Sequence, residues 1–164
     1  MSEIAPFDPE LLLRALSQNR VNFVLIGALA ARLHGFPRLT ADADITPAGD
    51  KLNLERLALA LNELDAKIYT DSLPEGLAFD CSAATLARAR MWNLVTKAGR
   101  LDIAFEPAGV NGYDDLKKDA ERFEAFGVRF FVASLDDIIR SKEAAGRPKD
   151  LDDVAILRAM KGAK

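Results

Sequence analysis

Apolar and polar residues alternate across residues 40–47 with the two-residue period of a β-strand. Asp42 and Asp44 fall on one side of the predicted strand, and Ala43 and Ile45 fall on the other. The apolar side suits a protein core. The sequence therefore predicts a strand that presents two carboxylates on the opposite side.

A strand-to-helix turn is predicted just before this segment. The apolar run 21–26 ends at Gly27 and predicts a buried strand, and the small residues at 28–34 predict a helix that Gly35 and Pro37 end. Residues 73–79 fit no element clearly. The same criteria predict helices at 9–18, 52–64, 82–90, 114–123, 134–145 and 150–160, and strands at 67–70, 91–97, 100–105 and 128–133.

The strands at 91–97 and 100–105 are expected to form a β-hairpin that turns at Gly99. In the second strand Asp102 lies between Leu101 and Ile103, so its side chain faces away from theirs. Helices and strands thus share the chain, which has 164 residues, 49% of them hydrophobic. We expect an α/β (α+β) fold, a mixed sheet flanked by helices in a single domain.

Composition narrows the class of protein. The chain has one cysteine, Cys81, which excludes an intramolecular disulfide. No apolar run approaches the roughly 20 residues that cross a membrane. The N-terminus lacks a secretory signal pattern. We therefore expect a cytoplasmic protein with no membrane partner. The formal net charge of −3 argues against broad binding of duplex nucleic acid. A local basic groove remains open, with candidates at Arg100, Arg140, Lys142, Arg147 and Lys149.

Two carboxylates on a strand with one residue between them are suited to hold divalent metal ions. Alternate residues on one face stand about 6.6 Å apart along the strand, and Mg²⁺ prefers such oxygen ligands. Asp102 completes the site if its strand pairs with the one that carries Asp42 and Asp44. Glycine at a strand-to-helix turn, here Gly27, lets the backbone and the helix N-terminus approach a phosphate. The pattern indicates a nucleotide site with Mg²⁺ or Mn²⁺.

Three blocks of the chain resemble the nucleotidyltransferase superfamily with the DNA polymerase β-like fold. The blocks are GALAARLHGFPRLTADADI at 27–45, GRLDIAF at 99–105 and SLDDIIRSKEAAGRPKDLDDVAIL at 134–157. More narrowly, they look like the minimal bacterial group that includes the AbiEii-type toxins of toxin–antitoxin pairs. The resemblance implies a single nucleotidyltransferase-like domain over residues 1–164, with its core at about 21–157.

The resemblance also implies roles for individual residues. Asp42 and Asp44 would bind metal, Asp102 would be the third carboxylate and the candidate base, and Gly27 and Ala28 would form the phosphate turn. At the position of Ala28 the family usually has serine or a second glycine. Ala28 therefore has no hydroxyl to contact a phosphate, and only its backbone N–H group remains for that contact.

The resemblance implies further contacts to the nucleotide. Arg38 of the first block and Lys142 and Arg147 of the last block are the candidates for binding its phosphates, although Lys142 and Arg147 fit the charged end of a helix equally well. The segment from Arg147 to Asp153 resembles the family's second block, which contacts the phosphates or shapes the pocket. Its acidic residues, Asp150, Asp152 and Asp153, fit the start of a helix equally well.

The expected activity is transfer of a nucleoside monophosphate from an NTP such as ATP to an acceptor hydroxyl. The resemblance suggests an RNA 3′ end, such as that of tRNA, or a protein as the acceptor, with an antitoxin as a further partner. Two alternatives stay open at this stage. One is a catalytically degenerate member of the fold that serves as a binding or regulatory module, and the other is a metal-dependent phosphodiesterase.

Overall fold

The computed structural model describes residues 5–163. In that range the chain forms one eight-stranded mixed sheet with seven helices. The helices are α1 (Pro9–Gln18), α2 (Gly27–Leu33), α3 (Lys51–Glu63), α4 (Ala83–Leu86), α5 (Tyr113–Asp119), α6 (Leu135–Ala145) and α7 (Pro148–Gly162). The strands are β1 (Phe23–Ile26), β2 (Asp42–Pro47), β3 (Lys67–Thr70), β4 (Leu73–Leu77), β5 (Met91–Thr96), β6 (Gly99–Ala104), β7 (Glu121–Ala125) and β8 (Val128–Val132).

The strand order is β4-β3-β5-β6-β2-β1-β8-β7. Two pairs are parallel, β2 with β6 and β1 with β8, and the other neighbours are antiparallel. The fold-class prediction, a mixed sheet with helices in a single α/β domain, is confirmed. Among the described residues, no helix has the length and apolar character needed to span a membrane.

One face of the central strands is buried in the core. Ala43 and Ile45 of β2 and Leu101 and Ile103 of β6 are fully buried. They share one hydrophobic cluster with leucines of α1 and α3, which cover this face. Because side chains alternate along a strand, the other face carries Asp42, Asp44 and Asp102, which are only partly buried. The core thus fixes which face the carboxylates occupy.

The helix predicted at 114–123 is wrong beyond Asp119. The backbone of Ala120 is extended, and β7 follows it and pairs antiparallel with β8. Phe126 and Gly127 between the two strands both have positive φ, 56° and 75°. An X-Gly pair of this kind is typical of a two-residue hairpin. The alternation of charged and apolar residues in β7 was the signal for a strand.

The helix predicted at 82–90 is also too long. Only Ala83–Leu86 is helical, with Ser82 as its N-cap. The carbonyl of Leu86 accepts a hydrogen bond from the Trp92 indole at 3.1 Å, and the carbonyl of Arg90 accepts one from the Phe105 N–H at 3.0 Å. These bonds turn the chain into β5 instead of extending the helix. The ambiguous segment 73–79 contributes the edge strand β4.

Candidate active site

Strand register brings the three predicted carboxylates to one place. In the parallel pair β2·β6, Asp44 lies opposite Asp102, and Asp42 lies opposite Arg100. Partners in a ladder point to the same face, so all four side chains share the face opposite the core. The expectation that the strand of Asp102 pairs with the strand of Asp42 and Asp44 is confirmed by this register.

Gly27 makes room for the Asp44 carboxylate. Ile26, the last residue of β1, pairs with Asp44, and the chain turns at Gly27 with φ of +70°. A Cβ on residue 27 would lie 2.8 Å from Asp44 Cγ and would overlap the carboxylate oxygen. Glycine at this position therefore allows both the left-handed backbone conformation and the close approach of the Asp44 carboxylate.

The carboxylates repel one another in a partly buried site. Burial, followed by the charges of Asp42 and Asp102, raises the pKa of Asp44 to about 7, and Lys142 and Arg100 oppose that rise. Burial also raises the pKa of Asp102, against the nearby charge of Arg100. Arg100 donates a hydrogen bond to Asp102 Oδ1 at 3.0 Å. The site thus carries an excess of negative charge that a cation would relieve.

The donor set suits a hard divalent cation. Asp42 and Asp44 offer only carboxylate oxygens, the ligand type that Mg²⁺ and Mn²⁺ prefer. Within residues 5–163, no group of three or more His, Cys, Asp or Glu side chains is arranged to hold a metal ion. In keeping with this, Arg100 occupies one oxygen of Asp102. Asp42 and Asp44 are accordingly the residues that could hold a metal, and oxygens of a bound substrate would supply further ligands.

A cavity of about 650 Å³ opens beside Asp42 and Asp44. Gly27 and Ala28 line it at the start of α2. The N-cap residue of α2, Ile26, offers no side-chain hydrogen bond to the first N–H groups of the helix. All three predicted phosphate-binding cations also line the cavity. These are Arg38, Lys142 and Arg147.

Two buried aspartates hold these cations in an ion-pair network, which consists of Arg38, Lys142, Arg147, Asp150 and Asp153. Asp153 contacts Arg38 at 2.9 Å and Lys142 at 3.1 Å. Asp150 contacts the Arg147 Nε atom at 2.6 Å and Lys142 at 3.9 Å. Hydrogen bonding to Arg147 lowers the pKa of Asp150 despite its burial. The network keeps three cations at one end of the cavity.

The sequence left Asp150 and Asp153 open between helix-start acids and a segment that shapes the nucleotide pocket, and it did not predict their ion pairs. Asp150 does bond the N–H group of Arg147 at the start of α7, at 3.3 Å. Both side chains are nevertheless only 3% exposed. Their spacing of three residues, after a Pro that starts a helix, places them on one helix face, and this was the available signal.

Arg100 also stacks on Tyr69, with its guanidinium carbon 3.6 Å from the ring centroid.

Replacing Gly27 by alanine should destabilise the protein by about 2–3 kcal/mol, because the new Cβ overlaps Asp44 and the left-handed backbone is strained. Urea unfolding measures the change. Gly49→Ala is the control, since nothing lies within 4 Å of a Cβ at that position. Adding Asp44→Ala should recover part of the lost stability of Gly27→Ala. If Gly27→Ala were as stable as the control Gly49→Ala, the close approach of Asp44 to Gly27 would be contradicted.

The raised pKa of Asp44 predicts a pH-dependent loss of stability in metal-free protein. In the unfolded chain the carboxyl ionises near its ordinary pKa of 3.8, whereas in the folded chain it ionises only at about 7. Folding therefore favours the protonated form, and the free energy of unfolding falls as pH rises from about 4 to 7.

Asp44→Asn removes this penalty. We expect the variant to be more stable than wild type by about 1–2 kcal/mol at pH 8, and not at pH 4, in urea unfolding with EDTA. A variant that is destabilised equally at both pH values would contradict the raised pKa that burial and the neighbouring carboxylates give Asp44.

Comparison with protein families gives a match over residues 7–159 to the family described as "Nucleotidyltransferase of unknown function (DUF6036)". A comparison with curated proteins gave no significant match.

Solved structures show the same fold at low sequence identity. The lincosamide antibiotic adenylyltransferase LnuA, with lincomycin bound, superposes with a TM-score of 0.59 at 14% identity, covering 96% of this chain and 99% of that one. A candidate nucleotidyltransferase from Thermotoga maritima gives 0.51 at 19% identity and 98% coverage of both chains. The antibiotic-resistance factor ANT(2″)-Ia gives 0.50 at 16% identity, covering 94% of this chain and 89% of that one.

These likenesses confirm the predicted nucleotidyltransferase fold. The family match spans nearly the whole chain and includes both the carboxylate strands and the ion-pair network. The protein therefore belongs to this family, DUF6036, and is a nucleotidyltransferase.

Proposed function

We propose that the protein transfers a nucleoside monophosphate from an NTP to an acceptor hydroxyl and releases pyrophosphate. The observation that carries the proposal is the β2·β6 register. It sets Asp44 beside Asp102, next to a cavity that three cations line. Carboxylates and cations beside one cavity match the two needs of the reaction, a metal site and a polyphosphate site.

The nucleotide would lie in the 650 Å³ cavity, a volume within the range of small-molecule sites. Arg38, Lys142 and Arg147 would bind its phosphates. The N–H groups of Gly27 and Ala28, which line the cavity at the start of α2, would add contacts to the phosphates. Because Ala28 has no hydroxyl, its backbone makes the only polar contact available there.

Asp42 and Asp44 would hold Mg²⁺ or Mn²⁺. When bound, the ion neutralises charge that develops on the phosphates and makes the acceptor hydroxyl more acidic. Asp102 would take the hydroxyl proton. Arg100 already occupies its Oδ1 atom, so Oδ2 is the oxygen that would accept the proton. The acceptor oxygen then bonds the α-phosphorus as the bond to the β-phosphate oxygen breaks, and pyrophosphate leaves with both electrons of that bond.

The acceptor would approach from the β6 side of the carboxylates. Asp102 lies one strand farther from β1 than Asp44 does, and its partner on β5, Asn93, is exposed. Met91 on the same face of β5 is 59% exposed. An open sheet face of this kind leaves room for a large acceptor.

For the acceptor we keep an RNA 3′ end, such as that of tRNA, or a protein hydroxyl. This choice rests on the sequence resemblance to AbiEii-type toxins, which also suggests a toxin role and an antitoxin partner. The likeness to the two antibiotic-modifying proteins lies below 20% identity and supports the fold alone.

The direct test is incubation with each α-³²P-labelled NTP, Mg²⁺ and either total cellular RNA or lysate protein. Label should enter one of these two pools. Asp44→Asn should reduce the rate by about a thousandfold or more, since it removes a metal ligand. Asp80→Asn, which changes the same charge at an exposed position, is the control and should leave the rate unchanged.

Two results would contradict the proposal. Tight NTP binding with no label in either pool would indicate a degenerate binding module. Hydrolysis of a nucleic acid without any need for NTP would indicate a phosphodiesterase that uses the same carboxylates.

A further inference from the structure

Asp153 joins three separate segments of the chain at the cavity. It lies on α7 with its side chain 3% exposed, and it meets both Arg38 and Lys142. Arg38 comes from the loop between α2 and β2, and its two terminal nitrogens approach the two carboxylate oxygens at 2.9 and 3.2 Å. Lys142, on α6, donates to Oδ2 at 3.1 Å.

We propose that Asp153 is a positioning residue, which fixes Arg38 and Lys142 at the cavity so that both are in place before a polyphosphate binds. The inference rests on the proposed function, because it takes the ligand of the cavity to carry a triphosphate. Asp153 itself is only 3% exposed, and it acts through the two cations that it contacts.

The donor inventory leaves both cations able to bind phosphate while they stay bonded to Asp153. A guanidinium has five N–H donors and an ammonium has three. Arg38 donates a hydrogen bond to Oδ2, and its other terminal nitrogen lies 2.9 Å from Oδ1 without hydrogen-bond geometry. Lys142 directs its ammonium at Oδ2 and more distantly at Asp150. Donors therefore remain on each cation. The network of three cations and two carboxylates keeps one excess positive charge, which favours an anionic ligand.

The same loop connects Asp153 to the metal-binding side. Two residues after Arg38, Thr40 donates a hydrogen bond to the Asp42 carbonyl at 2.9 Å and lies 3.3 Å from its carboxylate oxygen. Holding Arg38 therefore also holds the segment that leads into Asp42. A carboxylate that only neutralised Lys142 would not need a partner on this loop.

The geometry separates positioning from simple charge balance. Removing the negative charge of Asp153 makes the network more positive, and charge alone would then tighten polyphosphate binding. Positioning has the opposite result, because Lys142 loses its nearest partner and Arg38 is released with its loop. The sign of the change in affinity thus decides between the two roles.

The experiment measures the binding of inorganic tripolyphosphate, without metal, by calorimetry. We expect Asp153→Asn to weaken binding by about tenfold. Asp152→Asn is the matched control, since it makes the same charge change one residue away at an exposed position, and it should stay within about twofold of wild type. Arg38→Gln should weaken binding in the wild-type background and have little further effect in Asp153→Asn, because its positioning is already lost.

A second variant covers the case in which Asp153→Asn does not fold. Asp153→Glu keeps the charge and moves the carboxylate by one methylene. Positioning predicts weaker tripolyphosphate binding and a raised KM for the NTP with kcat less affected. Charge balance predicts no change.

Tripolyphosphate binding that is unchanged or tighter in the Asp153 variants would overturn the inference. The inference would also be overturned if the loss of tripolyphosphate affinity in the double variant equalled the product of the losses in Asp153→Asn and Arg38→Gln. Because the binding assay involves no turnover, it is independent of nucleotidyl transfer. A protein that binds tripolyphosphate as described but labels no acceptor would sink the proposed function and leave the positioning role of Asp153 in place.

Discussion

Mutual repulsion between carboxylates is the constraint on which the rest of the site depends. The β2·β6 register sets Asp44 against Asp102, and Asp42 lies two residues away on β2. All three side chains are partly buried. Burial, followed by the charges of Asp42 and Asp102, raises the pKa of Asp44, so folding works against its ionised form. Such an arrangement needs a rigid scaffold, which the chain supplies. Under the proposed function, a metal ion bound with the substrate would offset the negative charge.

The scaffold is the apolar face of the same two strands. A one-residue slip of β2 against β6 would expose Ala43 and Ile45 and bury Asp42 and Asp44. The core packing that stabilises the protein therefore also fixes the active-site register. On the other side of the cavity, buried carboxylates of α7 hold the cations. Anions and cations are thus each organised by a separate part of the fold, and the nucleotide would bind between them.

Local pattern was sufficient to predict the carboxylate strand, the Gly27 turn and the β5–β6 hairpin, because each depends on neighbours in sequence. It was insufficient where distant segments decide the outcome. The pairing of β7 with β8 overrode a helical interpretation of residues 120–123. Asp153 fitted a helix start and a pocket-shaping segment equally well, and nothing in its neighbourhood shows that Arg38, 115 residues away, would reach it. Long-range ion pairs of this kind leave no periodic signal.

Metal binding by Asp42 and Asp44 is tested most directly by the affinity of the metal-free protein for Mn²⁺, measured by electron paramagnetic resonance with and without ATP. The carboxylate site predicts binding that ATP strengthens, and it predicts that Asp44→Asn weakens binding by about tenfold or more. Asp152→Asn should bind like wild type. If Asp44→Asn bound Mn²⁺ as tightly as wild type in the presence of ATP, the carboxylates of β2 would not form the metal site.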